Sequence, residues 1–551
     1  MPLRCLLTFA FVTLSLSAQD AFSARIDAVF EQWNKPATPG AAVAVIRDGK
    51  LIYEKGYGLA NLEYDIPINP ETVFHVASVT KQFTAMALVL LEEDGKLSID
   101  DDVHKYLPEL PDYGHKIAIR NLLQHTSGIR DQWQTLGIAG WRLDDVITQQ
   151  QILRVLFRQK ELNFVPGTQH LYSNGGYTLA AEIVARVSGM SFPEFCAKRI
   201  FQPLDMSHTH IHDDLRRIVP HRAYSYDRRG NGFEASPLNY ANAGATSLFT
   251  TAPDLVRWLD NFREPKVGGK RAIARMEEQA VLADGKKIDY ALGVSVGKYR
   301  GLPTVSHNGA DAGYRSIVLW FPDQSLGIAV LSNVGNFNTT NIANKVAEVF
   351  LEDKMTSAPA PDKAKDAPRT YITVEPATLP QYAGNYSMGP GLILNMSVKD
   401  GKLFGGPLGQ TQLELKPIGP ARFYTEQQRA ELQFTPKTGG GMSLRFIGVG
   451  GTIDGERVTS DPFDPSDLPK YAGVYWSDEL ETQYTIVAKE GKLFAEHIRH
   501  GEIALSSVAK DQFRSGTWFM SDIHFRRGAD GKVTAMVIGG GRITGIEFVK
   551  R

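Results

Sequence analysis

The apolar and polar positions divide the chain into stretches with different periods. A helix is predicted near Ala24–Trp33. Ala41–Ile46 and Leu51–Tyr57 read as strands, and Asp48-Gly49 between them is a strong hairpin signal. The middle reads as helices and loops. Strand patterns return at Leu292–Tyr299, Tyr314–Phe321 and Leu326–Ser332, with Pro322-Asp323 turning between the last two. A closing helix follows, because Ile342, Val346, Val349 and Phe350 fall at i, i+4, i+7 and i+8. Strands at both ends with helices between them predict an antiparallel sheet whose N- and C-terminal strands meet, with a helical lobe inserted.

Residues 355–371 form a Pro/Ala/charge-rich linker. Beyond it the text repeats. Leu379-Pro380-Gln381-Tyr382-Ala383-Gly384-Asn385-Tyr386 returns as Leu468-Pro469-Lys470-Tyr471-Ala472-Gly473-Val474-Tyr475. Asp400-Gly401-Lys402-Leu403-Phe404 returns as Glu490-Gly491-Lys492-Leu493-Phe494. The common offset and the short alternating runs with Gly-rich turns predict two duplicated antiparallel β-barrels, at 372–462 and 466–551, joined near Pro462–Pro465.

With 551 residues, two to four domains are expected. Hydrophobic residues make up 43%, enough for packed cores. A net charge of −1 with mixed signs gives no electrostatic basis for binding nucleic acid. Residues 1–23 read as a secretory signal: Arg4, then mostly apolar Leu6–Leu16, then small residues. The apolar stretch is short for a membrane span, and no later segment approaches that length. The expected location is therefore the periplasm or the medium. Cys5 falls within the signal. Cys196 is then alone in the mature chain and, beside Phe192, Phe195 and Ile200, reads as a small buried hydrophobe.

Candidate chemistry starts at Ser78-Val79-Thr80-Lys81, which heads the long apolar run Phe83–Leu91. A serine needs an activating neighbour to act as a nucleophile. Three residues along a helix bring Ser78 and Lys81 onto one face, and a helix N-terminus favours developing negative charge. Ser295-Val296-Gly297-Lys298 and Ser507-Val508-Ala509-Lys510 share the spacing but lack the apolar helix. Tyr172-Ser173-Asn174 and His307-Asn308-Gly309 follow Ser78 in order, a succession that marks β-lactamases and penicillin-binding proteins.

With these motifs the chain resembles the penicillin-recognising serine hydrolases: class C β-lactamases, D,D-peptidases, certain esterases and D-aminopeptidases. Phe164-Val165-Pro166-Gly167 and Leu122-Leu123-Gln124-His125-Thr126-Ser127-Gly128 add to the likeness, which covers roughly Asp27 to Lys354. The C-terminal extension turns it towards the D-aminopeptidase type. The resemblance implies an α/β sandwich of β-lactamase/transpeptidase-like fold at 24–354, with the site between sheet and lobe. It implies Ser78 as nucleophile and Lys81 and Tyr172 as the proton-handling pair. His307 stands where many relatives have the lysine of Lys-Thr-Gly and would polarise Tyr172. Asn174 would hold the substrate or Lys81, and Gly309 and Ala310 would shape the oxyanion hole with the Ser78 N–H. No cofactor or metal is implied. The implied substrates are small peptides, amides or esters, and a β-lactamase, a broad esterase or a non-turnover penicillin sensor are the alternatives. In D-aminopeptidases a loop of the last barrel meets the substrate's ammonium. The matching stretch here is His497-Ile498-Arg499-His500-Gly501-Glu502, where Glu502 is the only acid.

Three look-alikes read as structural. Lys437-Thr438-Gly439 reads as a hairpin turn, Tyr240-Ala241-Asn242 as a loop near the cleft, and His208, His210 and His212 as a solvated strand and turn.

Overall fold

The computed structural model describes residues 22–357, 370–388, 392–408, 411–438, 441–448, 451–458 and 464–551. The signal expected at 1–23 and the linker expected at 355–371 lie largely outside these residues. The chain forms two compact units.

The first unit takes residues 22–129, 143–157 and 164–357. Its centre is an antiparallel sheet of six strands: β1 Ala41–Arg47, β2 Lys50–Tyr57, β3 Ser295–Tyr299, β4 Leu302–Asp311, β5 Tyr314–Phe321 and β6 Leu326–Ser332. The order is β3-β4-β5-β6-β1-β2, so the N- and C-terminal strands meet, with Ala41 opposite Ser332 and Arg47 opposite Leu326. At the β1–β2 hairpin, Asp48 and Gly49 both have positive φ, +49° and +76°, which suits the twist of the flanking strands.

Strands β1, β5 and β6 are buried almost along their whole length. Such strands need cover on both faces. One face packs Ile26 and Phe30 from a helix over residues 22–30, and Ile342, Val346 and Val349 from the helix Thr339–Leu351, onto Val43, Val45, Ile328 and Val330. The helix Ala252–Arg263 packs against β1 and β6. The inserted lobe is built on α1, Lys81–Glu93, against α2, Asn174–Ser188. Every residue of α1 from Lys81 to Leu91 is buried, as its all-round apolar sequence demands.

The second unit contains two closed eight-stranded antiparallel barrels, Gly384–Ser387 to Gly451–Arg457 and Gly473–Ser477 to Ile543–Lys550. Closure removes the sheet edges. The repeat is visible in matching contacts: Tyr386 OH donates to Tyr382 O at 2.9 Å, and Tyr475 OH to Tyr471 O at 2.6 Å. This unit also takes in Arg130–Arg142 and Arg158–Asn163. Ile138 joins the core of the second barrel, Tyr484 OH donates to its carbonyl at 3.0 Å, and Arg130 pairs with Glu479 at 2.6 Å with both side chains buried.

Candidate active site

Ser78 lies on a 3₁₀ turn, Ala77–Thr80, that runs straight into α1. Ala77 before it has φ +48°, a conformation that costs an L-residue about 1–2 kcal/mol. The turn is pinned by Thr80, whose hydroxyl donates to Ala77 O at 2.6 Å and accepts from Leu248 N–H at 3.1 Å. Ser78 is half-buried, while its neighbours on both sides are fully buried.

Lys81, on the first turn of α1, is 0% exposed. A buried ammonium must be paired. Its Nζ donates to Ser78 Oγ at 3.0 Å, Asn174 Oδ1 at 2.8 Å and Ala245 O at 2.7 Å. It also lies 4.9 Å from the ring centroid of Tyr172 and 5.4 Å from that of Tyr177. Ser78, Lys81, Tyr172 and Asn174 are thus brought together.

Tyr172 comes from the loop that enters α2, and Asn174 is the first residue of that helix. His125 holds the loop. Its Nδ1 accepts from Ser173 N–H at 3.1 Å, its carbonyl accepts from Leu171 N–H at 2.9 Å, and its ring lies 4.1 Å from that of Tyr172. His125 has φ +56°, so it turns the backbone as well as bonding to it.

His307 lies on β4, opposite Val318 of β5, and is 5% exposed. Its Nδ1 is 2.6 Å from Asn308 O. A carbonyl only accepts, so Nδ1 carries the hydrogen, and the neutral ring's Nε2 accepts from Tyr290 OH at 2.9 Å. Burial, and then the charge of Lys81, push the imidazole down to about 3, so it is neutral at physiological pH. The resemblance implies that His307 acts on Tyr172; the hydrogen bond at its Nε2 comes from Tyr290. The Tyr290 ring is 6.3 Å from that of Tyr172 and 4.6 Å from that of His125.

Gly309 lies where β4 passes the Ser78 turn. A Cβ there would stand 2.3 Å from Val76 O, 2.4 Å from Ser316 Oγ and 3.0 Å from Ser78 N. Glycine is what lets the strand backbone approach the serine. Ala310 follows on the exposed side of β4.

Tyr290, His125 and Ala245 are partners of these side chains that motif reading left out. His125 stood in a quoted flanking stretch, and Ala245 in a loop taken to lie near the cleft. Tyr290 carried no signal of its own.

The look-alikes have other work. Tyr240 donates to Asp311, and Asn242 Nδ2 donates to Gln149 Oε1 at 2.8 Å and Thr178 Oγ1 at 3.1 Å, all as internal support. Lys437 and Thr438 lie in the connection between Ala430–Pro436 and Met442–Gly448, which pair as a hairpin; Gly439 is outside the described residues. The other two Ser-x-x-Lys stretches lie on β3 and around the barrel strand Gly501–Ala509. The expectation of a solvated His208–His212 strand needs correcting, because His212 is buried and its ring packs 4.8 Å from Phe249. Among the described residues, no group of three or more His, Cys, Asp or Glu side chains is arranged to hold a metal ion. Cys196 is buried, which raises its thiol well above the usual range. No described helix is long and apolar enough to cross a membrane.

Residues 26–350 match the family model described as Beta-lactamase. Penicillin-binding protein 4* of Bacillus subtilis (strain 168) is 28% identical over 430 residues, which cover 74% of this chain and 93% of that protein. A D-aminopeptidase of Brucella ovis is 24% identical over 530 residues, covering 93% of this chain and 95% of that one. Among solved structures, the octameric penicillin-binding protein homologue from Pyrococcus abyssi has the same fold, with a TM-score of 0.55 at 23% identity over 80% of this chain and 99% of that chain.

Proposed function

Because this chain belongs to the beta-lactamase family, we propose that it is an exported serine hydrolase that cleaves amide or ester bonds through an acyl-Ser78 intermediate. Small peptides containing D-amino acids are its proposed substrate class. The observation that carries the reading is the contact of Lys81 Nζ with Ser78 Oγ at 3.0 Å, with Asn174 and Ala245 fixing the amine.

In the proposed reaction Ser78 Oγ attacks the carbonyl carbon as its proton passes to the deprotonated member of the Lys81–Tyr172 pair, the free amine or the phenolate. The N–H groups of Ser78 and Ala310 hold the oxyanion, with Gly309 giving the strand its close approach. The leaving amine or alcohol departs with the proton, and water then releases the acyl group from Ser78. Asn174 both holds Lys81 and borders the substrate.

The neutral His307 bears on substrate choice. Relatives with lysine at this place offer a fixed cation to a substrate carboxylate, and an imidazole pushed down to about 3 offers none at neutral pH. This favours simple amides and esters over β-lactams. The similarity to a D-aminopeptidase along almost the whole chain supports the D-amino-acid class. The positively charged, then apolar, N-terminus supports export.

The test has two parts. Ser78→Ala abolishes turnover and leaves the thermal unfolding midpoint within a few degrees; an active Ser78→Ala enzyme refutes the assignment. A set of p-nitroanilides of D- and L-amino acids, with free and blocked amines, is compared with p-nitrophenyl esters and nitrocefin. Preference for D-anilides supports the substrate class. Preference for esters or nitrocefin replaces it with an esterase or β-lactamase, and acylation without turnover replaces it with a sensor.

A further inference from the structure

We infer that Asp311 is a positioning residue for this site: its carboxylate ties the loop whose Ala245 carbonyl accepts from Lys81 to the strand that carries Gly309 and Ala310. The inference rests on the roles proposed above for Ser78 and Lys81.

Asp311 is the last residue of β4. Side chains alternate along a strand, so Asp311 shares its side with His307 and Gly309, the face that meets the nucleophile turn. Its two oxygens reach three residues on two segments. Oδ2 accepts from Thr246 Oγ1 at 2.8 Å and lies 3.0 Å from His75 Nε2, and Oδ1 accepts from Tyr240 OH. Thr246 and His75 also touch, Oγ1 to Nε2, at 3.0 Å.

Each contact leads to a reacting part. Thr246 directly follows Ala245, whose carbonyl takes Lys81 Nζ at 2.7 Å. His75 is fully buried and stands three residues before Ser78. Tyr240 opens the loop that ends at Ser247. On the strand itself, Asp311 directly follows Ala310. One carboxylate therefore fixes the lysine side of the site and the oxyanion side to each other.

The backbone around this cluster is held in unusual shapes. Ala77 beside Ser78, Ser247 beside Thr246 and Ala312 beside Asp311 have φ +48°, +73° and +46°. Non-glycine residues stay in that region only where the surroundings over-determine them. With the carboxylate gone, the Thr246 and Tyr240 hydroxyls and the His75 ring lose their common partner. The loop is then free to relax, and Lys81 loses the Ala245 carbonyl as an acceptor without any change in the groups that meet substrate.

A fluorophosphonate probe tests this without knowledge of the natural substrate. Ser78 Oγ forms a bond to phosphorus as the P–F bond breaks, and fluoride leaves with the serine proton. The full-length parent, Asp311→Asn, Thr246→Val and Thr246→Ser are compared for the amplitude and the rate of labelling. Expected are full amplitude and a rate at saturating probe lowered about 10- to 100-fold in Asp311→Asn and Thr246→Val, since small misplacements of a reacting group cost that much. Thr246→Ser, which keeps the hydroxyl, is expected within about threefold of the parent. A merely structural role lowers the amplitude, by lowering the folded fraction, and leaves the rate per labelled site unchanged; that result overturns the inference. Should Asp311→Asn not fold, the Thr246 pair decides alone: equal rates in the Val and Ser variants overturn it. A parent that is not labelled at Ser78 sinks the proposed function and this inference with it. A labelled parent beside unaffected variants sinks only the inference.

Discussion

His307 shows how burial decides what a side chain can offer. Its ring is enclosed on β4, bonded through Nδ1 to a carbonyl and through Nε2 to Tyr290, and burial and Lys81 both oppose its protonation. The sign of the resulting pH dependence is fixed. In the unfolded chain this histidine takes a proton near 6.5, and in the fold only near 3. The unfolded state therefore binds more protons between those values, and stability that is complete above about pH 6.5 drains as the pH falls towards 3. His210 and His212, each pushed down by burial to about 4, act in the same direction. Unfolding free energy measured from pH 7 to pH 4 is expected to fall by about 1.4 kcal/mol per pH unit for each such histidine at the steepest point. His307→Gln should flatten that slope, and an unchanged slope shows that His307 is not buried in its neutral form. Tyr290→Phe leaves the Nε2 acceptor buried without its donor, a loss of about 1–3 kcal/mol in denaturant unfolding.

At the scale of elements, β4 does the most for the site. Its neighbours set its register, with Gly309 opposite Ser316, and its alternation sends His307, Gly309 and Asp311 to one side. Gly309→Ala drives a methyl group into Val76 O and Ser316 Oγ. The strand or the Ser78 turn must then shift, and, on the proposed function, hydrolysis of an ester is expected to fall by about 10²-fold or more; an active Gly309→Ala enzyme shows that the close approach is not needed. Much of this level was legible beforehand. Strands β5 and β6 fall at Tyr314–Phe321 and Leu326–Ser332, where the short apolar runs on either side of Pro322-Asp323 predict strands, and α1 follows from the apolar run Phe83–Leu91. The partners of the reacting groups were not legible. Tyr290 meets His307 across 17 residues, and Ala245 meets Lys81 across 164. Neither contact leaves a periodic or local trace, because a single backbone carbonyl or phenol packs against a site with no requirement on its sequence neighbours. Tyr240-Ala241-Asn242 shows the reverse error that spacing alone invites, since a motif of the right letters serves as internal bracing.

At the scale of the whole chain, the duplicated text does predict two barrels, and the shared Tyr-to-backbone bonds at Tyr386 and Tyr475 are what the repeated Leu-Pro-x-Tyr-Ala-Gly-x-Tyr stretch encodes. Sequence order gives no hint, however, that Arg130–Arg142 and Arg158–Asn163 belong with those barrels. The bonds that fix them span great separations: Gln134 Nε2 donates to Gly540 O at 2.8 Å across 406 positions, and Arg130 meets Glu479 across 349. A chain cut after residue 357 keeps these two segments and deletes what covers them. Arg130 then loses its buried carboxylate, and Ile138 loses the core formed with residues such as Tyr484 and Phe519. Removing one partner of a buried ion pair costs about 3–5 kcal/mol where the other stays buried, so the segments are expected to open rather than hold their shape. Limited proteolysis followed by mass spectrometry should find rapid cleavage within 130–142 in the truncated protein and protection in the full chain. In the full chain, Glu479→Ala should give the same local cleavage to a lesser degree. Equal protection of 130–142 with and without the barrels would show that the barrels do not hold this stretch.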